Sequence, residues 1–189
     1  IEYNRFTLDN GLTVLVHEDT ATPMAVVNVL YDVGARDEHP EKTGFAHLFE
    51  HLMFGGSINI ADYDEPLQRA GGDNNAYTTN DLTNYYCQLP AQNIETAFWL
   101  ESDRMLSLAF SEKSLSVQRK VVCEEFREHY INKPYGDVWK QMRELAYTVH
   151  PYKWMTIGKE LSHVENALID DVKHFFFKHY RPINAILVV

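Results

Sequence analysis

Cysteine is nearly absent. Cys87 and Cys123 are the only two among 189 residues, and they do not form a C-x-x-C pair, which excludes a cysteine-based zinc ribbon. Both are expected as free, largely buried thiols, because cysteine packs as a small hydrophobe. Positive charge is in deficit. The 17 Lys and Arg stand against 27 Asp and Glu, a net charge of −10. Affinity for nucleic acid comes largely from Lys and Arg neutralising phosphates, so no nucleic-acid partner is expected. Long apolar runs are missing, so no membrane span is expected, and no signal peptide is visible. The first residue is Ile1 rather than Met. Upstream residues are expected to have been removed, which leaves the compartment unread. Repeats, low-complexity tracts and linkers are also lacking, so residues 1–189 read as a single domain.

What is present suffices for a core: 45% of the residues are hydrophobic. Two apolar runs flank Asp9-Asn10-Gly11, a hairpin signal. Residues 24–33 are rich in β-branched side chains and read as a central strand, followed by a polar loop at 34–43. A helix is expected from Gly44 to Phe54, stopped by Gly55-Gly56, and a shorter one over 62–70. Residues 73–90 read as two antiparallel strands turning at Asn80-Asp81. Further helices are expected over 92–108, 112–132 with Ser111 as N-cap, 136–146 and 170–180. A strand over 183–189 closes the list of elements. Strands, then helices, then a strand indicate an α+β fold, a mostly antiparallel sheet with helices packed on one face. Tyr85 and Tyr86 are expected in the sheet or core, and Trp99 and Phe175-Phe176-Phe177 as packing residues.

Residues 44–56 read GFAHLFEHLMFGG. At about 100° per residue, Phe45, Leu48, Phe49 and Leu52 form one stripe of a helix. His47, Glu50, His51 and Phe54 form a second stripe on the opposite side. Two imidazoles one turn apart can bind one metal ion from the same side, and Glu50 beside them can take a proton from a water that the metal activates. Such a zinc site needs a third protein ligand and leaves the fourth position to water. The helix over 112–132 offers Glu124 and Glu125. They lie about 100° apart, and periodicity does not choose between them. Six further histidines, at 17, 39, 150, 163, 174 and 179, have no ligand-like spacing and read as surface or loop residues.

HLFEH, GGDNNAYTTNDLTNYY, ESDRM and VVCEEFRE, in that order, together resemble the pitrilysin-type peptidases. This group of inverted-motif zinc proteases includes insulin-degrading enzyme and the mitochondrial processing peptidase. The resemblance runs from Phe6 to Val189 and is strongest to bacterial members, which leaves periplasm and cytoplasm both open. It implies Zn2+ as cofactor, His47, His51 and Glu125 as its ligands, and Glu50 as general base. It implies peptide-bond hydrolysis in extended substrates that pair with an edge strand through Asn75, Ala76 and Tyr77. A glutamate usual two turns before the third ligand is Gln118 here, so any acidic support from that position is lost. The resemblance also implies a larger enzyme of two related halves. The chain is then expected to be an N-terminal catalytic fragment, poorly active without its second half or a partner subunit. Two other readings stand beside this one. One is a non-catalytic subunit that binds peptide or a partner. The other is a purely structural metal site closed by Cys123 or Glu124.

Overall fold

The computed structural model describes residues 1–189. The first hairpin forms as β1 (Asn4–Thr7) and β2 (Thr13–Val16), turning through Gly11 at φ 88°. β3 (Met24–Tyr31) is followed by α1 (Phe45–Leu52) and α2 (Asp64–Arg69). β4 (Asp73–Thr78) and β5 (Thr83–Pro90) form the second hairpin. Five helices come next: α3 (Ile94–Leu106), α4 (Glu112–Phe126), α5 (Val138–Ala146), α6 (Leu161–Glu165) and α7 (Ile169–His179). β6 (Ala185–Val188) ends the chain. The Ser111 hydroxyl accepts from the Ser114 amide at 3.0 Å and starts α4, which runs on into a wider, π-helical turn at Arg127–Ile131.

The strands form one sheet in the order β1-β2-β6-β3-β5-β4. Only the β2–β6 pair is parallel. Period-2 alternation gives the sheet two different faces. Val27, Val29, Tyr31, Tyr85, Cys87 and Leu89 are buried under helices. Met24 and Val26 point the other way and are exposed, with Asn28 and Asn84 exchanging side-chain hydrogen bonds on that open face. The helix side divides into two cores. The larger joins α1, α4 and α7 to the sheet through Leu48, Phe49, Leu115, Val122 and Phe176. The smaller joins α2 and α3 through Leu67, Ala97 and Leu100. Both cysteines are free and buried.

Two expectations fail. Trp99 and Phe177 are 50% and 53% exposed rather than packed. Each lies off the buried stripe of its helix, which is Ala97-Leu100-Arg104 in α3 and Val172-Phe175-Phe176 in α7. The third feature is one the sequence reading left out. α6 has only five residues, too few for an amphipathic period to register.

Candidate metal centre

α1 lies between the sheet and α4, and its apolar stripe fixes its rotation. Phe45, Leu48, Phe49 and Leu52 are buried, so His47, Glu50 and His51 are turned together toward the half-exposed side. Where the helix starts is equally constrained. Gly44 sits at φ 88°, and a Cβ there would lie 2.7 Å from the Ile157 carbonyl oxygen and 2.8 Å from Val164 of α6. Only glycine takes this left-handed turn without strain. The two carboxylate oxygens of Glu38 then accept from the Gly44 and Ala46 amides, both at 2.9 Å. They satisfy donors that an α-helix leaves unpaired at its N-terminus. Glu38 belongs to the stretch read as a polar loop, yet it is only 6% exposed.

Burial pushes the Glu38 carboxyl up to about 8 from an ordinary 4.5, against the lowering pull of its amide donors. The folded chain therefore holds this proton to higher pH than the unfolded chain does. The stability it contributes is present below about pH 4.5 and lost as pH rises through about 8. The melting temperature of the parent is expected to fall between pH 5 and 9 more steeply than that of Glu38→Gln. Parallel melting curves across that range would reject this assignment.

α4 brings up the third donor. Its buried residues Leu115, Val122 and Phe126 pack into the larger core and set its rotation. Glu125 is thereby turned to α1. Its Oε2 lies 3.6 Å from His47 Nε2 and 3.4 Å from His51 Nε2. Glu124 is turned away, 73% exposed and bound by Arg127 at 2.6 Å. Cys123 lines a different depression with Arg119, Arg127 and Glu165. Neither residue that a closed structural site would need reaches the histidines. Gln118 is half-buried on α4, two turns before Glu125.

Donor atoms of His47, His51 and Glu125 lie within 4.8 Å of one another. Separations of 3.4 and 3.6 Å are long for an N–H···O hydrogen bond. They suit ligands sharing a tetrahedral zinc: bonds of about 2.0–2.1 Å put neighbouring donors roughly 3.3 Å apart. The donor set fits as well, two imidazole nitrogens and a carboxylate oxygen. Burial, helped by the neighbouring His51, lowers His47 to about 4, so at neutral pH its ring is uncharged and keeps a lone pair to donate. The His47 and His51 rings meet edge to face, centroids 4.9 Å apart. The three side chains remain 17%, 21% and 33% exposed, which leaves the centre open on one side. By contrast, a cavity of about 590 Å³ between α3, α7 and the first hairpin contains no histidine and is mostly apolar.

Beside the centre runs β4, the last strand of the sheet on that side. Asn75 and Tyr77 are exposed on the open face, while Ala76 packs toward the larger core. The Ala76 amide donates to the Asn75 side chain at 2.8 Å instead of to a strand. The Glu50 Oε2 atom accepts from the Thr78 hydroxyl at 2.6 Å. Glu38 and Thr78 are the functional neighbours that sequence reasoning did not single out. Thr78 lay within a quoted motif; Glu38 carried no sequence signal.

An antiparallel-edged sheet under a helix bearing H-x-x-E-H, with a glutamate from a distant helix beside it, defines the inverted-motif class of zinc-peptidase domains. Residues 13–159 match the insulinase family, peptidase family M16, and the chain belongs to that family. It is 36% identical over 191 residues to the zinc protease PqqE of Helicobacter pylori, covering 100% of this chain and 43% of that protein. The crystal structure of a protease from Helicobacter pylori superposes with a TM-score of 0.93 at 35% identity, over 99% of this chain and 45% of that one. A domain from Pseudomonas fluorescens described as an inactive peptidase M16 domain shares the fold, with a TM-score of 0.90 at 17% identity, over 100% of this chain and 46% of that one. The chain thus spans less than half the length of the relatives it matches. No helix is long and apolar enough to cross a membrane.

Proposed function

We propose that the chain forms the catalytic part of a zinc endopeptidase that cleaves extended peptides. The observation that carries this reading is the convergence of His47, His51 and Glu125 on one point, with Glu50 on the same face of α1. His47, His51 and Glu125 hold the zinc. When bound, the metal supplies Lewis acidity, which acidifies water and polarises the scissile carbonyl. Glu50 takes a proton from the attacking water and passes it to the leaving amine. The free edge of β4 receives the substrate backbone as an added strand at Asn75, Ala76 and Tyr77, which leaves side-chain preference loose. That addition replaces the local bond between the Ala76 amide and Asn75.

A non-catalytic subunit needs only the edge strand, whereas this chain also keeps three metal donors and a base. The shared length with relatives supports a site completed by a second half or a partner subunit. Elemental analysis tests the reading. One zinc per chain is expected, removable by chelator, with peptide hydrolysis lost on removal and regained on adding zinc. His51→Ala should not retain metal at parent stoichiometry. Hydrolysis that persists in metal-free protein would overturn the proposal.

A further inference from the structure

The carboxylate of Glu50 makes one hydrogen bond, and it crosses to another element: Thr78 Oγ1 donates to Oε2 at 2.6 Å. Thr78 is the last residue of β4, half-buried, with its side chain on the helix side of the sheet. Just beyond it the chain is locked. The Thr79 amide donates to the Leu82 carbonyl, and the Thr79 hydroxyl accepts from the Asp81 and Leu82 amides at 3.1 and 3.0 Å. Just before it, at Ala76, lies backbone whose amide is held only by a neighbouring side chain. The Thr78 hydroxyl therefore sits between a fixed turn and a free edge.

We propose that Thr78 is a positioning residue: its hydroxyl orients Glu50 and couples occupancy of the β4 edge to the aim of that carboxylate. The inference rests on the zinc-peptidase reading of the same site. A free glutamate samples many rotamers, and fixing a long side chain costs conformational entropy. One bond to Oε2 restricts that sampling and leaves Oε1 open to accept a proton. A peptide strand added at Ala76 stiffens β4 two residues from Thr78. Substrate then rigidifies the hydroxyl that holds the base, and errors of about 1 Å in such placement lower rates roughly 100-fold. The hydroxyl has no other partner in the fold, so this contact is what the threonine supplies beyond its methyl group.

Thr78→Val keeps the shape and removes the donor. Its kcat is expected to fall about 10- to 100-fold with KM within about twofold of the parent and zinc content unchanged. Thr78→Ser restores the donor and should return kcat to within about threefold. A raised KM with unchanged kcat would show a role in peptide binding alone and overturn the proposal. So would a Thr78→Ser variant as slow as Thr78→Val. A second measurement needs neither turnover nor metal. In the metal-free chain, the Thr78 methyl resonance should move on Glu50→Ala and stay in place on Glu124→Ala; no response to Glu50→Ala also overturns it. If Glu50→Gln leaves hydrolysis intact, Glu50 is not the base, and the methyl response alone then reports whether the contact exists.

Discussion

Glu50→Gln is expected to bind zinc at parent stoichiometry and to hydrolyse peptide about 10²- to 10⁴-fold more slowly, the range a positioned general base contributes. The substitution is narrow by construction. Glu50 is not among the three donors that converge, so the metal keeps its ligands. A glutamine oxygen still accepts from Thr78, so the side chain keeps its anchor. What is lost is the basic lone pair that receives a proton from water. The measurement is kcat on a quenched fluorescent peptide, in any chain context where the parent is active, with zinc measured on the same sample. Undiminished turnover in zinc-loaded Glu50→Gln rejects the assigned base.

The second large effect lies beneath the site. Arg104 is 1% exposed and sits among aromatic rings, 4.3 Å from the Tyr63 centroid, 4.7 Å from Tyr85 and 5.3 Å from Phe54. It holds Glu101 through two hydrogen bonds, Nε to Oε2 at 2.9 Å and Nη2 to Oε1 at 2.6 Å, and Tyr63 donates a third to Glu101 at 2.6 Å. Arg104→Met leaves Glu101 buried without its cation, a change that destabilises by about 3–5 kcal/mol. For a chain of this length the melting temperature should drop by roughly 6–20 °C. The double variant Arg104→Met with Glu101→Leu should recover most of that loss, because two apolar residues leave no charge stranded. Thermal melts of the parent and the two variants decide it, and a single variant within about 1 kcal/mol of the parent would sink the argument.

Helix α1 was legible because its message is local. A 3.6-residue period is enough to put His47, Glu50 and His51 on one side and four apolar residues on the other. The choice between Glu124 and Glu125 was not local. Adjacent residues differ by about 100°, and only the packing of Leu115, Val122 and Phe126 sets the rotation of α4. Glu38 was hidden for a related reason: a carboxylate among polar neighbours gives no hint that a helix end will fold over it. Helix α5 shows the converse. A helix was expected there and is present, yet Trp139 and Leu145 stand 63% and 84% exposed, because a local helix signal does not report what covers its apolar face. The α+β class followed from element order and hairpin signals, while the edge position of β4 came only from the family resemblance. The parallel β2–β6 pair joins residues far apart in sequence and left no local trace.

That pair has a consequence for how the molecule is made. β6 lies third in the sheet and is the only link between the β1–β2 hairpin and β3. As the chain leaves the ribosome, the hairpin emerges before β3 but has no strand to dock against until residue 188 has followed. The β1–β2 hairpin is therefore joined to the rest of the sheet only once β6 is in place. Through that interval it presents unpaired edges of the kind that invite misassembly and chaperone capture.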